Sequence, residues 1–469
     1  MQVKKLLEFA IGPVFGSLIG LITLPLISWY FAVDDVGRIA MLNAVIGLAP
    51  LILTAGLDQS YVREYSESDN KLALFNLCIL PSIAITLICM WLIVSHVSLS
   101  QLLFGVDNYL YSVLVLLAIF FCVVKRYQVL ELRMQQKGLA FSMTILLTKV
   151  TVPLILFMYF IFELSNSFKL LLIAYFLSHA VVFVWLLPRT LTTLLTFSAN
   201  AFEPSKLKKM ISFGFPVAIG AGAFWGMSTV DKLFLRSYSG FKELAVFSMA
   251  VSFASAATVL QSVFSSVWSP LVYQWRKEEG DDSCLIKVES VNRCIFFIAM
   301  LLFCFTGAFS WVVNYFIPEV YSDVPRLLLL CLLSPIIFTL SLISSVGLGI
   351  KRAAKLTLLS SIVALGINII ANYYLVPLYA AKGAACATVI SFLVFYFLKS
   401  ELSKFVWLPI NLYKNYCMLL IITSLAAIFL FVSEEYIRLM NVLWLVCGIA
   451  LCLFNKKQII VIFKYIRNA

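Results

Sequence analysis

Fourteen unbroken apolar runs, most of them about twenty residues long, divide this chain, and short turns rich in lysine and arginine separate them. They fall at approximately 8–30, 39–57, 73–97, 109–124, 141–162, 168–187, 211–230, 242–268, 291–316, 326–349, 355–377, 383–398, 415–432 and 438–454. An α-helix rising 1.5 Å per residue needs about 20 such residues to cross a hydrocarbon core about 30 Å thick. Strands are excluded, because a membrane barrel needs segments of about ten residues that alternate apolar and polar, and these runs are continuous. Composition agrees: of 469 residues, 62% are hydrophobic and 12% charged, and a soluble domain carries about twice that charge. The chain therefore reads as an all-α polytopic membrane protein of twelve to fourteen transmembrane helices. A soluble enzyme, a nucleic-acid binder and a single-pass receptor are excluded. No stretch is long and polar enough for a domain outside the bilayer.

The cations set the orientation. Alternate turns hold only Arg38, Lys169, Lys232, Arg236, Lys242, Arg326, Lys382 and Arg438, while the N-terminus and the intervening turns hold the rest of the 35 Lys and Arg, apart from Lys149. Lysine- and arginine-rich loops stay in the cytoplasm, so both termini are expected there and the number of spans is even. The net charge of +12 is then topogenic and calls for no nucleic acid. The 11 cysteines form no C-x-x-C pair and lie in apolar runs or inward turns, which fits a reduced compartment or a bacterial inner membrane rather than a disulfide framework. The first run is too long for a signal peptide and lacks a small-residue cleavage pattern, so it reads as a retained span.

A weak internal repeat is present. Span one opens Phe9-Ala-Ile-Gly12-Pro13-Val14, and span seven opens Phe213-Gly214-Phe215-Pro216-Val217. Six spans separate the two starts, an even number, so the halves run in the same sense about an axis along the membrane normal. Two six-helix lobes are expected, 1–205 and 206–400, linked by the basic segment 188–210, with two additional helices over 401–469.

No phosphate-binding loop, dinucleotide fingerprint or zinc spacing occurs, and with two histidines in the chain neither a cofactor nor a metal site is expected. Energy must come from an ion gradient, the membrane potential or removal of product. Gly12, Pro13, Gly16, Gly20 and Pro25 interrupt span one; Gly214, Pro216 and Gly220 interrupt span seven. Interrupted spans at matching places point to hinges around a transporter's central site, although small residues also simply pack helices together. Lys149 lies about eight residues, or about 12 Å, into span five. A lysine facing lipid at that depth costs several kcal/mol, so it should face a wet cavity or an anion. His179 in span six lies at a similar depth and shares that wall or is an ordinary hydrogen-bonded interior histidine. Asp231 and Lys232 end span seven near the outer rim, as a rim ion pair with Arg236 or as an ion-coupling carboxylate. The string Gly56-Leu57-Asp58-Gln59-Ser60-Tyr61-Val62-Arg63-Glu64-Tyr65 follows span two; its charges are either simply solvated or form a gate or headgroup platform at a pore mouth. Asn368 and Asn372, four apart, share a helix face and suit either sugar hydroxyls or helix–helix glue.

Three of these segments together resemble the O-antigen flippase (Wzx) branch of the multidrug/oligosaccharidyl-lipid/polysaccharide exporter superfamily. They are Gly56 to Tyr65; Phe213 to Pro216 with Asp231-Lys232-Leu233-Phe234-Leu235 and Ala245 to Ala250; and Asn368 to Asn372 with Pro377-Leu378-Tyr379 and Gly383 to Thr388. The resemblance covers residues 1 to about 400. It implies that an undecaprenyl-diphosphate-linked oligosaccharide is carried from the cytosolic to the periplasmic leaflet of the inner membrane. The headgroup would pass Arg63 and Arg126 to reach Lys149. Polysaccharide polymerase and assembly proteins are the implied partners besides the bilayer, with H+ or Na+ antiport as an alternative to membrane potential. Many such flippases have twelve spans, so the last two helices stand apart from the resemblance. Two rivals remain: a drug/cation antiporter of the same superfamily, which needs buried acids, and a membrane-embedded polysaccharide polymerase or ligase, which needs a sizeable outer loop that this chain lacks.

Overall fold

The computed structural model describes residues 3–195, 203–407 and 409–455; part of the expected linker (196–202) and the last residues of the expected C-terminal region lie outside them. Contacts divide the chain into two compact units, Met1–Lys232 and Leu233–Ala469. The first begins with α1 (Val3–Tyr30), α2 (Val33–Leu53), the short α3 (Leu57–Glu64), α4 (Lys71–His96) and the short α5 (Leu99–Phe104). It continues with α6 (Tyr109–Met134), α7 (Gly138–Ile161), α8 (Phe168–Leu195) and most of α9 (Pro204–Tyr238). The second holds α10 (Gly240–Ala254), α11 (Ala256–Phe309), α12 (Val324–Ser344), α13 (Val346–Ile350), α14 (Ala354–Val406), α15 (Tyr413–Phe431) and α16 (Ile437–Phe454). Strands are absent among the described residues.

Twelve helices among the described residues are long and apolar enough to cross a membrane, and two of them are double. α11 reverses at Gly280 (φ 84°) and α14 at Ala380 (φ 49°, ψ −127°). Each folds back on itself: Cys284 Sγ lies 3.7 Å from the Val272 carbonyl in α11, and Asn368 Nδ2 lies 3.3 Å from Ser391 Oγ in α14. Every half is roughly 25 residues, or about 37 Å, which is enough for one crossing. Glycine takes the left-handed turn of α11 without steric cost. In α14 the Glu243 carboxylate accepts a hydrogen bond from the Ala381 N–H (3.3 Å) just past the turn, and Gly383 lets the two backbones meet, since a Cβ there would stand 2.2 Å from the Leu375 carbonyl oxygen.

Two expectations need correction. The prolines do not break α1 or α9, which run as continuous helices through Pro13, Pro25 and Pro216. In a bundle, neighbouring groups satisfy the backbone that proline frees, so the helix need not end there. Nor is Lys149 the sole cation inside a span. Residues 125–134 contain no glycine or proline, so α6 continues past its apolar run and carries Lys125 and Arg126 within the helix.

In the first unit, α1 lies along α7 through small residues four apart. A methyl at Gly12 would stand 2.6 Å from Ser142 Cα, and one at Gly16 2.8 Å from Ile145 Cγ2. The Ser142 hydroxyl accepts from the Gly12 N–H (3.0 Å) and donates to the Glu8 carbonyl (2.5 Å), so it inserts into the α1 hydrogen-bond ladder. Close backbone approach with a bridging hydroxyl is how helices associate where lipid offers no hydrophobic drive. In the second unit α12 is central, packed against α10, α11, α14 and α15.

Candidate functional site

α7 and α8 are packed neighbours joined by residues 162–167. Lys149 stands twelve residues before Ile161 and His179 eleven after Phe168, which puts both about 17 Å from the connecting turn. α6 packs on both helices and contributes Cys122 and Lys125, three apart and therefore on one face. Cys122 Sγ and Lys125 Nζ each lie 3.2 Å from His179 Nδ1. An ammonium has no lone pair to offer, so Nδ1 is the acceptor and the ring is neutral, with its proton on Nε2. His179 is buried, and Lys125 and Lys149 are the charges that face it. The Lys149 side chain runs beside the glycines of α1. A methyl at Gly16 would stand 3.7 Å from its Cγ, and one at Gly20 3.7 Å from its Nζ. Among the described residues, no carboxylate lies within ion-pairing distance of Lys125, Lys149 or His179. Two ammonium groups and an imidazole thus meet at one depth, with an anion as their fitting partner.

The segment after span two is a helix with a different assignment for each residue. Gly56 (φ 79°) turns the chain into α3. The α9 backbone crosses there, since a Cβ on Gly56 would stand 2.1 Å from the Gly214 carbonyl oxygen. Ser60 donates to the Met210 carbonyl (2.6 Å), and the Arg63 guanidinium sits 4.1 Å from the Phe213 ring centre. Asp58 is 1% exposed. It accepts from Arg126 Nε (2.8 Å) and Nη2 (2.6 Å), from Gln59 Nε2 (2.7 Å) and from Thr54 Oγ1 (3.1 Å). Glu64 lies 3.9 Å from Arg63. Burial pushes the Tyr61 phenol well above its ordinary range, with the Glu131 charge adding to the effect, so it sits neutral in a core with Phe75 and Tyr127.

Further along, Asp231 is fully buried in α9, within electrostatic reach of the half-buried Lys232. Gly220 and Pro216 lie within the same helix. Asn368 and Asn372 are fully buried: Asn372 Nδ2 donates to the Asn368 carbonyl (2.9 Å), and Asn368 donates to Ser391 across the α14 turn. The Asn368 amide links the two arms of α14, and the Asn372 amide bonds back along its own arm. Sequence reasoning missed Lys125, which hydropathy places in a turn beside Arg126. Its three-residue spacing from Cys122 is the signal that finds it.

The multi-pass helical bundle is similar in fold to membrane transporters of known structure. Three solved structures share its architecture. The lipid II flippase MurJ in an inward closed conformation is 14% identical with a TM-score of 0.65, over 96% of this chain and 99% of that one. An inward-facing multidrug resistance MATE transporter of the MOP superfamily is 16% identical with a TM-score of 0.59, over 83% and 94%. A MOP superfamily transporter from Pyrococcus furiosus, described as having a binding pocket of reversed polarity, is 15% identical with a TM-score of 0.56, over 86% and 95%. At these identities the likeness establishes the fold, which is that of the MOP superfamily. Residues 3–275 match the polysaccharide biosynthesis protein family, and the chain belongs to that family. No curated protein matches it by sequence.

Proposed function

We infer that the protein is a flippase that carries an undecaprenyl-diphosphate-linked oligosaccharide, a surface-polysaccharide repeat unit, from the cytoplasmic to the periplasmic leaflet of the bacterial inner membrane. One observation carries this reading: Lys125, Lys149 and His179 gather at mid-span in the first unit, with His179 buried, Lys125 half-buried and Lys149 exposed, and no carboxylate is bonded to them among the described residues. A diphosphate diester bears about two negative charges and cannot enter hydrocarbon unpaired. The cluster supplies the counter-charge while the polyprenyl tail stays in lipid. Moving two negative charges outward with the inside negative is favoured by about 4.6 kcal/mol per 100 mV, so the membrane potential suffices as drive and no cofactor is needed. Alternating access, with bending of the proline-containing α1 and α9, exposes the site to either leaflet in turn. The family's place in polysaccharide biosynthesis and a fold shared with a lipid II flippase support the assignment.

A drug/cation antiporter would need buried acids that can receive a cation. Asp58 is engaged by Arg126 and Asp35 by Arg38 (2.5 Å), so Asp231, buried beside Lys232, is the acid to test. The test uses proteoliposomes holding a fluorescent undecaprenyl-diphosphate oligosaccharide. Lys149→Ala should lower the flipping rate about tenfold or more, the worth of a charged hydrogen bond, and Lys149→Arg should restore part of it. Unchanged flipping in Lys149→Ala overturns the reading. Efflux of a dye cation that is lost on Asp231→Asn replaces it with the antiporter.

A further inference from the structure

We propose that Lys125 is held in reserve on His179 and that an arriving diphosphate draws it away, whereupon His179 takes up one proton. The proposal rests on the flippase reading and concerns how the same site works. Nδ1 of His179 already accepts from the Lys125 ammonium at 3.2 Å, with the Cys122 Sγ also 3.2 Å away. The ammonium is the mobile member, on a four-carbon stem with three donors. A phosphate oxygen is a stronger acceptor for it than an imidazole nitrogen, because both partners are then charged. Once Lys125 turns to the headgroup, the Nδ1 lone pair loses its cationic donor and faces a dianion instead.

The groups that face the ring are few. α6 brings Cys122 and Lys125, α7 brings Lys149, and α8 itself brings Tyr175 one turn earlier, held by Asn43 of α2. α4 also packs on α8, and its contact is the neutral Asn76 amide on the Thr193 carbonyl (2.9 Å), more than three turns from His179. Among the described residues no carboxylate bonds to Cys122, Lys125, Lys149 or His179, so the incoming anion is the new negative charge at the ring. The proton comes from a hydronium ion of the bathing water: its O–H bond breaks as the N–H bond on Nδ1 forms, and a neutral water molecule leaves. The headgroup and this proton together move about one net charge across the membrane instead of two, and the charge carried per cycle is thereby linked to His179.

The chain has two histidines, which makes the test clean. In a full-length His96→Gln protein in nanodiscs, every histidine 15N signal comes from His179. At neutral pH the empty protein should show an unprotonated, hydrogen-bonded Nδ1. Adding undecaprenyl diphosphate should convert it to the protonated ring, while undecaprenol, which lacks the phosphates, should leave it unchanged. Comparison with His179→Gln, which keeps His96, assigns the signals independently. Saturable binding of undecaprenyl diphosphate with Nδ1 still unprotonated overturns this inference and leaves the flippase reading intact. Absence of binding overturns the flippase reading itself.

Discussion

Asp58 shows how an acid is kept inside a helix bundle. Four donors surround it, and the two from Arg126 carry the compensating charge. Removing one partner of a buried pair leaves the other uncompensated, at a cost of about 3–5 kcal/mol. Arg126→Met should therefore lower the unfolding midpoint of the detergent-solubilised protein sharply, and adding Asp58→Asn should recover much of the loss. If the double variant is as unstable as the single, the pair is not what holds α3 to α6. The same comparison separates a structural from a substrate-binding Arg126, because flipping per folded molecule should fall less in this series than in Lys149→Ala. Lys149 and His179 were legible in the sequence because a basic group inside a long apolar run is conspicuous. Lys125 was not, since hydropathy cannot tell a turn from a helix that simply continues. The i,i+4 spacing of Asn368 and Asn372 placed them on one face, but which residue that face meets depends on the fold of α14, and no local pattern encodes Ser391 as the partner.

At the level of elements, glycine spacing decides which helices touch. Gly12→Leu should prevent α1 from seating on α7, because backbone and side-chain atoms of Ser142 lie within 3.0 Å of the added Cβ. Expression of folded protein, followed by size-exclusion profile, would report it. Ser142→Ala removes one bridging hydroxyl and should cost about 1 kcal/mol, a small shift in midpoint. Gly56→Ala should be worse than either, because it combines a left-handed φ of 79° with a 2.1 Å approach to Gly214. The apolar runs gave the places of most crossings, but α6 ends ten residues beyond its run and the run 242–268 is divided between α10 and α11. The continuity of the helices through proline was not legible, because hydropathy registers side chains and not the backbone partners that neighbouring helices provide. α3 escaped notice for a related reason: eight residues of mixed polarity lack the periodicity that marks a helix, and Leu57 and Tyr61 reveal theirs only against α4 and α6.

For the whole molecule, the asymmetric distribution of lysine and arginine predicts a topology that can be checked. In a background stripped of the 11 cysteines, Ser165→Cys in the α7–α8 turn should react with a membrane-impermeant maleimide applied to spheroplasts. Gln136→Cys in the α6–α7 turn should react only after the membrane is opened. Both positions are exposed, so protection of the first or labelling of the second reverses the orientation. The double helix α14 adds a constraint on how such a chain is made. Asn368 and Asn372 are costly to leave bare in oil, and the amide of Asn368 meets Ser391 only after twenty-three more residues have been synthesised. The insertion machinery must therefore shelter the first arm until the second emerges and release the two as a closed pin. A ribosome stalled between Ala380 and Ser391 should leave the nascent segment beside the translocon rather than in the bilayer.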